Sequence, residues 1–257
     1  MVLYKMQDTY PKTTGKKIGA HNTTIVVSRW DGDTSWTQKL SEMGYRVCVY
    51  DHGTNPNNPY SLPSNVGREA SAYCKYLRDY YDNLTPYTIF VHEHEFSWHH
   101  EGSLVDMIVK KIPSVTGPKY MNLNNRCTGN IYNALWPDMK KYFDRYLAPY
   151  IGPRKLYGNW TLGDRCCAQF IVHKSRIVKH PRKMYADLYD FVTKKGEGTV
   201  AGHLMEWTWS LIFDSPVMYP GKKKHVGAIK ETDDRPFGPC PLRPELGVKG
   251  VGLGPVK

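Results

Sequence analysis

The densest group of side chains able to do chemistry is the segment from His92 to Glu101, which has four histidines and three glutamates in ten residues. Imidazole and carboxylate groups both bind divalent metals, and both transfer protons. The spacing differs from the zinc-protease pattern HExxH, because Phe96 and Trp98 stand four residues after His92 and His94. We therefore predict a ligand-binding or catalytic role for this segment, and a zinc peptidase is disfavoured.

The elements that position this segment can be predicted from three short runs rich in β-branched residues. Thr24–Ser28, Arg46–Tyr50 and Tyr87–His92 are predicted strands, and the apolar spacing between them predicts two helices. A βαβαβ order with short connections predicts a parallel sheet with right-handed crossovers. Ligands of such sheets bind beyond the carboxyl ends of the strands. This order therefore predicts that three segments lie at the same edge of the sheet: Ser28–Asp33, Tyr50–Gly53 and His92–Glu101.

The second half of the chain is less regular. It predicts short strands and amphipathic or apolar helices at Tyr120–Leu123, Asp138–Leu147, Ala168–Val172, Pro181–Lys194 and Val200–Phe213. We expect an irregular leader over residues 1–22, one α/β domain over residues 23–219, and an extended basic tail rich in Gly and Pro over residues 220–257.

Two features outside the His-rich segment are candidate functional sites. Asn65-Val66-Gly67-Arg68 opens the second predicted helix, and a helix start with an arginine attracts anions. The alternative is a simple cap formed by Asn65. Glu206 stands in an otherwise apolar helix, where burial raises a carboxyl pKa and suits general-base work. The alternative for Glu206 is a structural pair with an arginine or a histidine.

Composition narrows the class of partner. The formal net charge is +11, but the Lys and Arg residues are spread along the chain, and no zinc-finger or RNA-recognition signature occurs. A phosphorylated small molecule is therefore predicted as partner rather than nucleic acid. The six cysteines form no CxxC pair. The first residues lack the apolar run of a signal peptide. No stretch approaches the roughly 20 apolar residues of a membrane helix. These features predict a cytoplasmic protein with free thiols and no membrane span.

Several motifs occur in an order that resembles a known family. They are SRWDGDTSW, YDHG, NVGREASAYCKYLRDYYDNL, TIFVHEHEFSWH, CCAQFIVHKSRI and HLMEWTWSLIF. Together they resemble an uncharacterised family of fungi, algae and large algal DNA viruses, over about Ile25 to Phe213. Their order also resembles GT-A-type glycosyltransferases of the chlorovirus kind. That resemblance implies a single-domain, Rossmann-like α/β fold with a mainly parallel central sheet flanked by helices, and for a viral member it implies the host cytoplasm.

The resemblance implies transfer of a sugar, with xylose as one candidate, from a nucleotide-sugar donor such as a UDP-sugar to an oligosaccharide or glycoprotein glycan. The implied donor-binding residues are Ser28, Arg29, Asp31, Tyr50, Asp51, Asn65 and Arg68. The implied acceptor-binding residues are Trp98, His99, Gln169 and Trp207. The chain departs from the family pattern because the third strand ends without an Asp-x-Asp motif. Binding of Mn²⁺ or Mg²⁺ by His92 and His94, and transfer without a metal, therefore both stay open.

Three glutamates are candidates for the base that accepts the acceptor's proton: Glu95, Glu206 and Glu93. Glu95 is favoured because it lies at the predicted edge of the sheet. Two other classes of function remain open. A metal-dependent hydrolase would use the His/Glu segment to activate water. A non-catalytic glycan-binding module would use Trp30, Trp98 and Trp207 as stacking platforms.

Overall fold

The fold is taken from a computed structural model of the chain. The structure describes residues 19–53, 58–62, 66–98, 100–112, 117, 120–124, 137–153, 168–194 and 197–213. The predicted basic tail over residues 220–257 and most of the predicted leader lie outside these ranges.

The described chain forms five strands and eight helices. The strands are β1 (Thr23–Arg29), β2 (Arg46–Asp51), β3 (Tyr87–His92), β4 (Tyr120–Asn122) and β5 (Phe170–His173). The helices are α1 (Thr37–Glu42), α2 (Glu69–Asp79), α3 (Leu104–Asp106), α4 (Pro137–Tyr142), α5 (Ala148–Ile151), α6 (Lys174–Ile177), α7 (Arg182–Thr193) and α8 (Gly198–Ile212). Wider π-helical turns at Met107–Lys111 and Phe143–Leu147 continue α3 and α4, and 3₁₀ turns lie at Ala20–Asn22 and Tyr81–Asn83.

The five strands form one sheet in the order β2-β1-β3-β5-β4. β1 pairs in parallel with β2 and with β3, so that Ser28 lies opposite Tyr50 on one side and opposite His92 on the other. The predicted parallel arrangement of these three strands is confirmed. β5 runs antiparallel to both β3 and β4, so the sheet is mixed and the expectation of a mainly parallel sheet is wrong for its second half. Short apolar strands such as β4 and β5 carry no sequence signal for direction.

Each face of the sheet has its own apolar core. The strand residues Val26, Tyr50 and Phe90 pack with α2, α7 and α8 on one face. Val27, Ile89 and Val91 pack with α1 and α3 on the other face. We call these the α8 face and the α1 face. Because side chains alternate along a strand, the last residues of β1–β3 also divide between the two faces.

The helix α2 runs back from the carboxyl ends of β1–β3. Its end lies near the start of β2, where the guanidinium of Arg46 is 4.6 Å from the ring centre of Tyr80. Its middle packs on the centre of the sheet, with the ring centres of Tyr73 and Phe90 4.8 Å apart. Its first residue, Glu69, therefore lies at the edge that the carboxyl ends of β1–β3 form, which we call the carboxyl edge.

The helix α8 runs in the same direction as α2. The Phe213 carbonyl, directly after α8, accepts a 2.7 Å hydrogen bond from Arg176 of α6, which follows the end of β5 at the opposite edge. Trp209 contacts Tyr73, with ring centres 5.9 Å apart. The first half of α8 therefore also lies at the carboxyl edge. Within the described part of the chain, no helix combines the length and apolar character needed to cross a membrane.

Candidate functional site

The ends of β1 and β2 are joined by a part-buried ion pair on the α1 face. An Arg29 amino group donates to the Asp51 carboxylate at 2.8 Å, and Arg29 Nε donates to the Gly32 carbonyl at 3.0 Å. The Asp51 side chain is almost fully buried, whereas about a third of the Arg29 side chain is exposed. A charge-assisted bond to a buried carboxylate fixes the guanidinium in place. Arg29 is thus a preorganised cation at the surface of the carboxyl edge.

The α8 face of the same edge has a hydroxyl–imidazole pair. The Ser28 hydroxyl and His52 Nε2 are 3.0 Å apart, and both residues are buried. They follow Val26 and Tyr50 by two residues, which places them on the α8 face. By the same alternation His92, two residues after Phe90, also lies on this face. The β1–β3 ends therefore direct polar groups to both sides of the sheet.

Glu93 fastens the loop after β1 to the end of β3. Its carboxylate accepts hydrogen bonds from the backbone N–H groups of Trp30 at 2.7 Å and Gly32 at 2.8 Å. Its carbonyl accepts a 2.7 Å bond from the indole of Trp36. A side chain at position 32 would meet this carboxylate, because a Cβ atom there would lie 2.6 Å from Glu93 Cδ. Gly32 therefore allows the close approach that orders the loop.

The acidic and imidazole side chains that follow Glu93 do not form a cluster of metal ligands among the described residues. Glu95 accepts a hydrogen bond from the Ser103 hydroxyl, which in turn caps α3. His94 is exposed, with its Nε2 atom 3.5 Å from the Glu93 carboxylate. Among the residues that the structure describes, no three His, Cys, Asp or Glu side chains are grouped as metal ligands. The described residues therefore do not fit a divalent cation in this arrangement, and use of Mn²⁺ or Mg²⁺ stays a prediction.

A chain of amide groups closes the edge beside β3. The Gln169 carboxamide accepts from the His92 backbone N–H at 3.2 Å and donates to the Asn124 side chain at 2.9 Å. Both Gln169 and Asn124 are fully buried. These groups join the start of β5 and the end of β4 to the end of β3. The predicted acceptor-binding residue Gln169 thus has its polar atoms directed to the protein interior.

Three glycines allow close backbone contacts between the start of α2, the end of α7 and the start of α8. A Cβ atom at Gly67 would lie 2.4 Å from the Val192 carbonyl, and one at Gly198 would lie 2.3 Å from the Val66 side chain. A Cβ atom at Gly202 would lie 3.1 Å from the Gly67 carbonyl. The contact between Gly202 and Gly67 places the first turn of α2 beside α8, and both helices carry charged side chains there. We call these residues the helix cluster: Arg68, Glu69, His203 and Glu206.

Two residues of the helix cluster, Glu69 and His203, have pKa values shifted from their ordinary values. Burial and the nearby Glu206 charge raise the pKa of Glu69 to about 8, against the smaller effect of Arg68. Burial lowers the pKa of His203, and the Arg68 charge lowers it further. Arg68 itself has φ 51°, and among the described residues it is the one non-glycine residue with a positive φ. Strained backbone and shifted pKa values together are typical of functional sites.

Exposed aromatic rings lie in the segments that follow β1 and β3 at the carboxyl edge. Trp30 is 55% exposed, Phe96 is 67% exposed and Trp98 is 54% exposed. They belong to the segments after β1 and β3. Phe96 also borders an open groove of about 360 Å³ whose wall includes Trp36, Lys39 and Glu95. Exposed rings beside polar groups form surfaces on which flat or ring-shaped ligands stack.

The structure brings together most of the predicted site residues, with some differences in role. Ser28, Arg29, Asp51, Glu93 and His92 lie at the carboxyl edge, as the strand order predicts. Asp31 lies exposed in the loop after β1. Tyr50 is fully buried in the core, and Trp207 packs against that core on α8. Asn65 and His99 lie outside the described residues.

The sequence did not identify Glu69 and His52 as candidate site residues. From the sequence, Glu69 is interpreted as a solvated residue at a helix start, and only the packing of α8 against α2 places Glu206 near it. His52 stands in a turn-rich segment, but its position two residues after the inward-facing Tyr50 is a signal that identifies its face. Buried pairs between distant segments leave little trace in a single sequence.

Comparison with known proteins places the chain in one family. No curated protein matches it, and no solved structure matches it. A family model described as "Protein of unknown function (DUF3431)" matches residues 25–227, a range that contains every strand and helix of the described residues except the first two residues of β1. The match covers well over half of the chain. The chain therefore belongs to the DUF3431 family.

Proposed function

We propose that this protein is a glycosyltransferase that moves a sugar, with xylose as one candidate, from a nucleotide-sugar donor to a glycan acceptor. A UDP-sugar is the favoured donor, and an oligosaccharide or a glycoprotein glycan is the acceptor. The finer fold assignment, a GT-A-like domain, is part of the same proposal.

The observation that carries the proposal is the convergence of cations and carboxyl groups at the carboxyl edge of three parallel strands. Arg29 is held there by Asp51, and the exposed Arg68 stands at the first turn of α2. The leaving group of sugar transfer is a nucleoside diphosphate, whose negative charge needs nearby cations and helix N–H groups. Open sheets of this kind bind nucleotides at this edge.

The same edge offers candidates for the remaining parts of the reaction. Of the three proposed bases, Glu93 is engaged with two backbone N–H groups and Glu95 with Ser103. Glu206 lies in the helix cluster, where its charge contributes to the raised pKa of Glu69, and all three glutamates stay candidates for the base. The exposed rings of Trp30 and Trp98 support a stacking surface for the acceptor glycan.

The experiment that tests this proposal is a thermal-shift titration of the full chain with UDP, GDP, UDP-glucose and UDP-xylose, each with and without Mn²⁺. Binding to the native state raises the melting temperature by an amount that grows with the logarithm of ligand concentration over Kd. We expect stabilisation by a nucleoside diphosphate. Stabilisation by metal alone would favour a hydrolase, and stabilisation by free glycan alone would favour a glycan-binding module.

A point variant sharpens the same experiment. Arg68→Ala is expected to weaken nucleotide binding by about 1.5–3 kcal/mol, because a hydrogen bond to a charged group is lost. Arg182→Ala is the matched control, because it removes the same charge at an exposed arginine. Arg182 is the first residue of α7 and donates to the Arg78 carbonyl near the opposite end of α2. Equal nucleotide affinity in folded Arg68→Ala and Arg182→Ala proteins would contradict the proposed donor site.

A further inference from the structure

The open groove beside Phe96 lies on the α1 face of the sheet. Its volume is about 360 Å³, which is within the range of small-molecule binding sites. Two stretches of chain line it: the loop after β1 with the start of α1, and the segment directly after β3. Trp36, which lines the groove, belongs to the apolar core of the α1 face. We call this space between residues 33–39 and residues 94–96 the α1 groove.

Hydrogen bonds fix the floor and one wall of the α1 groove. The Trp36 ring is buried, and its indole N–H donates a 2.7 Å bond to the Glu93 carbonyl. The Glu95 carbonyl accepts a 3.0 Å bond from the Leu104 N–H, and the Glu95 carboxylate accepts from the Ser103 hydroxyl. Both stretches are therefore held in place before a ligand arrives, which lowers the entropic cost of binding.

The charged groups that line the α1 groove are mixed in sign. The Asp33 carboxylate is exposed and is oriented by two 2.8 Å hydrogen bonds, one from the Ser35 N–H and one from the Ser35 hydroxyl. Glu95 adds a second carboxylate, and Lys39 of α1 adds an exposed ammonium group. An anion would be repelled by the two carboxylates, and a cation would be repelled by Lys39. A neutral ligand with hydroxyl groups avoids both repulsions, and it can donate to the carboxylates and accept from the ammonium group.

An exposed ring supplies the apolar part of the α1 groove. Phe96 lines it and is 67% exposed, so its ring is open to a ligand. A sugar ring has an apolar C–H face and a rim of hydroxyl groups. An aromatic ring beside hydrogen-bonding side chains is complementary to both features at once.

Resting on the sugar transfer proposed above, we propose that the α1 groove binds one sugar ring of the acceptor glycan. The C–H face of that sugar packs on Phe96. Its hydroxyl groups donate to Asp33 and Glu95 and accept from Lys39. The acceptor-binding role of this groove is distinct from that of Trp98, whose exposed ring lies outside the described lining of the groove and contacts a different part of the glycan.

The α1 groove adjoins the cation of the proposed donor site. Arg29 Nε donates a 3.0 Å hydrogen bond to the Gly32 carbonyl, and the next residue, Asp33, lines the groove. The loop after β1 therefore connects the groove to the guanidinium that is proposed to contact the diphosphate. A sugar in the groove and a diphosphate at Arg29 would lie on the same face of the sheet.

The first test observes the α1 groove directly and needs no activity. The full chain is labelled with ¹⁵N, its seven indole N–H signals are assigned, and methyl β-xyloside or methyl β-glucoside is added at millimolar concentration. We expect a saturable shift of the Trp36 signal, because this ring forms the floor of the groove. The signal of Trp209, which is buried on the α8 face, is expected to stay in place. Shifts confined to Trp30 and Trp98 would overturn the inference.

The second test removes the exposed ring. Phe96→Ala is expected to weaken binding of the methyl glycosides about 5-fold, with unchanged UDP affinity, because the stacking surface is lost. Met43→Ala is the matched control, since Met43 is also an exposed apolar residue and lies directly after α1, outside the described lining of the groove. Both side chains are exposed, so both variants are expected to fold. Equal glycoside affinity in the two variants would contradict the role of Phe96.

The third test checks the class of ligand. The Trp36 signal is followed while inorganic phosphate or ethylammonium chloride is added, and neither salt is expected to shift it in a saturable way. A saturable shift with either salt at a lower concentration than the glycosides require would overturn the assignment of the groove to a sugar.

The outcomes distinguish this inference from the proposed function. If the glycosides shift the Trp36 signal and the chain binds no nucleotide, the groove stands as a sugar site and the transferase proposal fails. If a nucleoside diphosphate binds and neither glycoside shifts the Trp36 signal, the groove inference fails and the transferase proposal stands. If neither kind of ligand binds, both are refuted.

Discussion

Replacing Glu69 by glutamine should change how the stability of the protein depends on pH. The pKa of Glu69 is about 8 in the folded chain, against an ordinary value of 4.5. Between these two pH values the native state holds a proton that the unfolded state has released. The free energy of unfolding therefore falls as pH rises through this window. Below pH 4.5 both states are protonated and the full contribution is present.

The magnitude follows from the same two values. The difference between about 8 and 4.5 corresponds to about 5 kcal/mol. The Glu69 side chain keeps part of its surface accessible to solvent, where water screens its interactions, so this figure is an upper limit. We expect Glu69→Gln to be about 2 kcal/mol more stable than the unmodified chain at pH 8.5 and equally stable at pH 4.5.

The assay is urea unfolding followed by tryptophan fluorescence at pH values from 4.5 to 8.5. Burial lowers the pKa of several histidines, which contribute stability in the opposite direction, lost as pH falls: His100, His173, His180 and His203. These histidines are present in both proteins, so the difference between the two stability curves removes most of their effect. Parallel curves for the unmodified chain and Glu69→Gln, with Glu42→Gln as control, would refute the raised pKa of Glu69.

Two further predictions concern packing and acceptor binding. Gly67→Ala should cost more stability than Gly102→Ala in urea unfolding, by about 2 kcal/mol or more, because both glycines have positive φ but only at Gly67 does the new methyl group meet backbone. Similar losses for the two variants would contradict the close approach of Gly67 to the Val192 carbonyl of α7. Trp98→Ala should weaken binding of the acceptor glycan by about 1 kcal/mol with unchanged UDP affinity, whereas Val178→Ala, at an exposed residue of the opposite edge, should change neither. Calorimetry measures both affinities, and equal glycan affinity in the two variants would contradict the stacking surface.

The local order of the chain could be read from the sequence because it rests on short-range patterns. The β-branched run before Ser28 and the apolar spacing from Ala70 to Leu77 specify a strand and a helix through contacts within a few residues. The strict order of three strands and two helices then forces a parallel sheet, and with it one edge for Arg29, Asp51 and His92. These positions follow from chain connectivity, which the sequence records directly.

Tertiary structure alone decided the direction of β5 and the partners of the acidic groups. A strand as short as Phe170–His173 pairs equally well in either direction, so its antiparallel pairing depends on how the intervening chain returns. Glu93 and Glu95 look alike in sequence, yet one binds the loop after β1 and the other caps a helix through Ser103. The nearness of Glu69 to Glu206 depends on glycines that let two helices cross at backbone distance, since burial and charge at that contact are properties of the packed chain.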